Sequence, residues 1–197
     1  MPNRNVMNQT EILSPSILSS PVAVGARATA AAALSVAVLA AALCTAGPAA
    51  AAQSLGSFKD WAAHADGKDA EKVCWIYSEP QKDEGNYTRR GRIYALVTHR
   101  PGENTANQVQ FTAGYPFKEG SAVEVSIGAK KFELFTNADS AWARSKQDDA
   151  DIVAAMRKGS TMIVTGESSR GTKTKDTYSL AGTTAALAAI DKACGIK

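Results

Sequence analysis

Two cysteines place the tightest limit on how this chain can fold. Of the three cysteines in the sequence, Cys44 closes an apolar leader, so in an oxidising compartment Cys74 and Cys194 have no partners but each other. Cys74 lies in Lys72-Val73-Cys74-Trp75-Ile76-Tyr77-Ser78, where five consecutive apolar or aromatic residues predict a strand with both faces covered. Leu187, Ile190 and Cys194 recur at intervals of three and four. That spacing predicts a terminal helix starting near Thr183 or Thr184, with Cys194 on its core-facing stripe. A Cys74–Cys194 bond would pin this helix to an early strand and close a loop of about 120 residues, worth about 4 to 5 kcal/mol by chain entropy. In a domain with a net stability of roughly 5 to 15 kcal/mol, that is a large share.

The first 52 residues differ from the rest. A polar start precedes Arg27, then Ala28 to Ala46 is almost all Ala, Leu, Val and Ser, and Gly47-Pro48-Ala49-Ala50-Ala51-Ala52 follows. A positive charge, an apolar core, a breaker and small residues make a secretory signal, with cleavage expected after Ala50 or Ala52. The polar start is longer than a signal needs, which leaves Met7 as a second candidate start. The run is weakly hydrophobic and lacks basic stop-transfer residues, so a membrane anchor fits less well. Leu43 is bulky where lipid attachment at Cys44 requires a small residue. Residues 53–197 then form a single domain of about 145 residues, enough to bury a core without metal or several disulfides. Losing Arg4, Arg27 and Glu11 with the leader lowers the net charge from +3 to +2. So balanced a surface excludes nucleic acid as a partner, since that requires a concentrated basic face.

Past the leader, strand patterns dominate. Phe58 and Trp61 anchor the start, with a strand from Trp61 to about His64. Residues 79–86 are polar and proline-broken and read as a loop. Ile93 to Thr98 and Gln108 to Ala113 are strand-like, and Val123, Val125 and Ile127 face Phe132 and Leu134 across Gly128-Ala129 as a hairpin. Asp139 to Ala143 is a short extended piece or turn with a buried Trp142. Asp148, Asp149 and Asp151 open a helix over 148–158, with Ile152, Val153 and Met156 on one side, Arg157-Lys158 at its end and Gly159 as its stop. The acidic cluster is explained by the helix dipole without a metal. Ser160 to Gly166 and Thr172 to Leu180 complete the strands, with Tyr178 and Leu180 inward.

No residue pattern announces catalysis. His64 and His99 are the only histidines, neither has a carboxylate or cysteine at ligand or triad spacing, and both read as surface residues beside turns. The paired thiols lack the Cys-x-x-Cys arrangement of a redox couple. Gly114 to Gly120 lacks the spacing and the Lys-Ser/Thr of a phosphate loop, and Tyr115 and Phe117 read first as loop anchors. Arg89, Arg90 and Arg92 are the densest basic spot, either a solvated loop or a contact for an anionic envelope component. Together with Tyr115 and Phe117 they are the candidate binding surface. No metal or other cofactor is expected.

The order of landmarks is more specific than any one of them. Asp60-Trp61, Lys72-Val73-Cys74-Trp75, Arg92-Ile93-Tyr94, Gly114-Tyr115-Pro116-Phe117-Lys118-Glu119-Gly120-Ser121, Phe132-Glu133-Leu134-Phe135, Ala154-Ala155-Met156-Arg157-Lys158-Gly159 and Asp176-Thr177-Tyr178-Ser179-Leu180 follow one another along the chain. In this order they resemble the invasion-associated locus B family of exported bacterial proteins, from about Phe58 to Cys194. The resemblance implies a mainly β fold, an immunoglobulin-like β-sandwich with two short helices, one near 148–158 and one C-terminal. It implies a place in the Gram-negative envelope and, in some pathogens, a part in entry into host cells, which does not follow from membership alone. It carries no catalytic residues over. Gly182-Thr183-Thr184 departs from the pattern, since relatives tend to place an aromatic after the glycine.

The leading expectation is therefore a non-enzymatic protein of the periplasm, outer membrane or cell surface that binds an envelope or host macromolecule. The alternative is a small-ligand binder or enzyme accessory using the Tyr115/Phe117 loop. A deep pocket there favours the alternative, and a flat face or open sheet edge favours the macromolecule. A hydrolase requires His99 beside both a carboxylate and a nucleophile.

Overall fold

The structure is a computed structural model and describes residues 52–196. The leader expected over Met1–Ala52 lies, but for Ala52, outside the described residues. Alternating inward and outward residues build eleven strands: β1 (Gln53–Phe58), β2 (Trp61–Asp66), β3 (Val73–Ser78), β4 (Lys82–Gly85), β5 (Tyr94–Arg100), β6 (Thr105–Thr112), β7 (Ala122–Ile127), β8 (Lys130–Asn137), β9 (Ser140–Trp142), β10 (Thr161–Glu167) and β11 (Lys173–Ser179). Two helices join them, α1 (Lys146–Lys158) and α2 (Thr183–Cys194). The chain is thus mainly β, with two short helices of which one is C-terminal.

All eleven strands belong to one antiparallel ladder in the order β1-β2-β3-β5-β6-β9-β8-β7-β10-β11-β4. That ladder curls back on itself. Strands β2 and β11 are far apart in the order, yet the Trp61 indole N–H donates to the Ser179 carbonyl at 2.9 Å, and the rings of Phe111 and Tyr178 lie 6.3 Å apart. Curling brings Ile76, Val97, Val109 and Phe111 into one core with Val123, Val125, Met162 and Tyr178. Burying both arms against each other is the hydrophobic driving force of the fold.

The helices close the core where the arms leave it open. Ser145 caps α1 by accepting the Asp148 amide, and Asp148 and Asp149 occupy the first turn with Arg157 and Lys158 in the last, as the dipole favours. Helix α2 packs on β1, β2 and β3 through Ala186, Leu187, Ile190 and Cys194. Cys74 and Cys194 are bonded, with their Cα atoms 6.1 Å apart. Gly182 enters α2 at φ +93, and a Cβ there would collide with the Phe58 carbonyl, so only glycine permits this close approach. Among the described residues no helix is long and apolar enough to cross a membrane.

Four expectations are corrected. Strand β3 is not covered on both faces: Cys74, Ile76 and Ser78 are buried, while Val73, Trp75 and Tyr77 are half-buried on the outer side of the sheet. There the His64 ring stacks on Trp75 and Tyr77 in place of a packed layer. Trp142 also faces outward and is only half-buried, because the inward position of β9 belongs to Ala141. His99 is fully buried, being the register partner of Cys74. The polar segment 79–86 contains the edge strand β4, held by its ladder to β11 and by contacts of Glu84 with Lys82 and Lys175.

Candidate functional site

The two loops singled out in the sequence meet. Gly91 donates its amide to the Gly114 carbonyl at 2.8 Å, and a Cβ on Gly114, at φ +70, would lie 2.6 Å from the Gly91 carbonyl. Two glycines let the arginine segment and the Tyr115 loop lie backbone to backbone. Beside this contact opens a cleft of about 600 Å³, walled by residues 86–91, 114–116 and 168–174.

Arg90, which lines the cleft, is held from behind by a buried ion pair with Asp176. Arg90 donates from both terminal nitrogens to the Asp176 carboxylate at 2.5 and 2.6 Å, and from Nε to the Ala113 carbonyl at 2.6 Å. Its guanidinium lies 4.9 Å from the centre of the Tyr115 ring and 5.6 Å from that of Tyr87. The two charged side chains are 4% and 5% exposed, so the pair is largely removed from water. Burial works against the charge on Arg90, but its bonds to Asp176 outweigh that and hold its pKa above the ordinary value. Burial pushes Asp176 up and Arg90 pulls it back. Burial wins, so the Asp176 pKa lies above the ordinary carboxylate value, while the bidentate guanidinium, a group that is always charged, favours the ionised form. The Tyr115 hydroxyl hydrogen-bonds the Thr174 hydroxyl at 2.6 Å, and burial raises its pKa.

The structure divides the predicted surface. Arg89 is exposed and lines the cleft, and Tyr115 lines it half-buried. Arg90 lines it from below and is no solvated loop residue. Phe117 is buried and meets the edge of the Tyr115 ring at 5.2 Å, so it anchors the loop and does not reach the cleft. Arg92 points elsewhere, to Glu79 at 3.2 Å on open surface. The sequence reading missed Arg170 and Ser169, which are exposed on the opposite wall, and Asp176. A signal for the aspartate existed: Thr174, Asp176 and Tyr178 alternate on the inward face of β11, and a charge at an inward position demands a buried partner. Among the described residues neither Arg89 nor Arg170 makes an ion pair, so two uncommitted cations border a concave polar wall.

His99 does lie beside a carboxylate. One ring nitrogen, Nδ1, accepts the Asn107 amide at 2.9 Å, so Nε2 carries the proton and donates to Asp191 at 2.9 Å. Arg157 holds the other Asp191 oxygen at 2.8 Å. Both ring nitrogens are used, and among the described residues no serine, threonine or cysteine side chain hydrogen-bonds the ring. Among the described residues no group of three His, Cys, Asp or Glu side chains is placed to hold a metal.

No curated protein matches the chain. A crystal structure of invasion associated protein b from Bartonella henselae is similar, with a TM-score of 0.48 and 14% identity over 72% of this chain and 98% of that one. The family model described as invasion associated locus B (IalB) protein matches residues 61–191. That match takes in the strand bearing Cys74, both walls of the cleft and α2 as far as Asp191, and the chain belongs to the invasion associated locus B family.

Proposed function

We propose that this chain is an exported, non-enzymatic cell-envelope protein of the invasion-associated locus B type that acts by binding, and that the Arg90–Asp176 cleft is where it binds. The observation that carries this reading is the pairing of an internally neutralised Arg90, backed by Asp176, with two cations on the walls, Arg89 and Arg170, that make no ion pair among the described residues. Neutralising Arg90 leaves the wall charges to act outward, and guanidinium groups suit carboxylate, phosphate or sulfate. The partner is an anionic group on an envelope or host macromolecule. Export rests on the Arg27 to Ala52 leader, which places the protein in the periplasm or at the outer membrane or cell surface.

A second reading, a small-ligand binder or enzyme accessory at the same cleft, is favoured by its size, since about 600 Å³ is the scale of a small-molecule site. One experiment tests both. The chain is immobilised and exposed to envelope extract, beside an Arg89→Glu/Arg170→Glu variant. Capture of an anionic macromolecule by the wild type alone supports the first reading, and capture of an anionic small molecule alone supports the second. Equal capture by both proteins overturns the cleft as the binding site. N-terminal sequencing of the envelope-associated protein tests export, and a terminus still carrying Ala28 to Ala46 refutes it.

A further inference from the structure

The outer face of the sheet carries a second, differently built surface. In successive register pairs, Phe135 lies opposite Trp142, Trp142 opposite Gln110, Gln110 opposite Leu96, and Leu96 opposite Tyr77. At about 4.8 Å per strand this row spans roughly 19 Å. The parallel row pairs Gln108 with Thr98, Thr98 with Trp75, and Trp75 with His64. Phe135 is 41% exposed, and neither row contains a carboxylate, a lysine or an arginine. Within these two rows the surface is aromatic and uncharged, with amides and hydroxyls set between the rings, and charged side chains flank it at Arg100 and at the Arg144–Glu133 pair.

At one end the rows open into a groove of about 300 Å³ formed by Gln108, Phe135, Asn137, Trp142 and Asp149. Two polar groups here are half-satisfied. Asp149 accepts the Val109 amide on Oδ1 at 2.8 Å, and its Oδ2 has no hydrogen-bond partner among the described residues. Gln108 accepts from Arg100 on Oε1 at 2.6 Å, which fixes the side chain and leaves its amide N–H groups available. A carboxylate in this position is costly to maintain, and burial pushes it up to about 6. An unused acceptor, fixed amide donors and two aromatic rings therefore converge on one concave site.

We propose that this groove is a subsite for one neutral hexose unit of a glycan, with the aromatic row toward Tyr77 as the track for further units. A pyranose ring has an apolar C–H face that stacks on Trp142 or Phe135, and a rim of hydroxyls that each donate and accept. Asp149 Oδ2 accepts from one hydroxyl, and the Gln108 and Asn137 amides donate to others. Charge selects against the alternatives. A phosphorylated or sulfated ligand would meet the Asp149 carboxylate, and the nearest guanidinium, Arg100, is committed to Gln108 Oε1, while an anionic lipid surface needs a run of basic residues that these rows lack.

The test titrates the full chain with cellohexaose, maltohexaose and chitohexaose, read by tryptophan emission and calorimetry. Binding of at least one of them is expected, weakened about tenfold by Phe135→Ala and about tenfold by Asp149→Asn. Phe135 is exposed, and an asparagine amide oxygen still accepts the Val109 amide, so neither change threatens the fold. The inference is overturned if none of the three sugars binds, or if binding survives both substitutions unchanged. It is equally overturned if sedimentation shows a dimer that Phe135→Ala dissolves, because the face then belongs to a second copy of the chain.

Discussion

Asp176 under the cleft and Asp149 in the outer groove are both carboxylates taken out of water, and they differ in what meets them. Asp176 receives a bidentate guanidinium that is itself braced by the Ala113 carbonyl and two tyrosine rings. Asp149 receives one backbone amide. The first arrangement commits both carboxylate oxygens to one guanidinium, so function at the cleft falls to its exposed walls. The second holds a lone pair in reserve, so the buried group itself is available to a ligand. How completely a buried charge is satisfied, more than how deep it lies, separates scaffold from site.

Asp191 sharpens the contrast from a third position. It is shared between His99 and Arg157, one oxygen each, and joins β5, α1 and α2 close to the disulfide. Like Asp176 it uses both oxygens, and its two bonds fix the His99 ring and the Arg157 guanidinium to α2.

The largest effect should come from breaking the satisfied pair. Asp176→Asn leaves a buried guanidinium uncompensated and is expected to cost about 3 to 5 kcal/mol in urea denaturation, whereas Arg90→Met/Asp176→Leu should recover most of it. A cost under about 1 kcal/mol would erase the distinction drawn between the two aspartates. Asp149→Asn should act in the opposite direction. The folded carboxyl titrates at about 6, above its ordinary 3.8, so the wild type carries a penalty that is full above pH 6, shrinks as pH falls and is gone near pH 4. The gain on substitution is at most about 3 kcal/mol, reduced by the favourable α1 N-terminus, and melting curves across that range would follow it. A pH-independent gain would show that desolvation is not its cause.

His99→Gln should cost about 2 kcal/mol at pH 8, from groups in the Asp191 network left unsatisfied. Burial lowers the folded pKa of His99 below 6.5, against the pull of Asp191. Its stabilising contribution is therefore present above pH 6.5 and lost as pH falls through the folded value, so the gap between variant and wild type should narrow on acidification. Smallest is Thr183→Val. The Thr183 hydroxyl is buried without a hydrogen-bond partner among the described residues. Removing it should raise stability by about 1 kcal/mol in thermal melts. A loss there would mean the hydroxyl is bonded after all.

The period-two alternation of Val123 to Ile127 and of Thr172 to Leu180, the acidic start and basic end of α1, and the three-and-four spacing of Leu187, Ile190 and Cys194 determined their elements locally. Each is a short-range pattern that a strand or helix must satisfy wherever it sits. The disulfide was legible as well, because reading Cys44 as part of the leader left Cys74 and Cys194 to pair. What the sequence could not hold was partnership at long range. Asp176 meets Arg90 across 86 positions, His99 meets Asp191 across 92 and Val109 meets Asp149 across 40, and no local window contains both ends of such a bond. The same limit explains Trp75 and Trp142. Aromatic strand residues prefer burial on composition, but which face of a strand receives a covering layer is settled only when the ladder curls and the helices choose a side. The tertiary structure decided that choice here: it sent Arg90 inward and Arg92 outward from one basic run, and it left an aromatic face toward solvent.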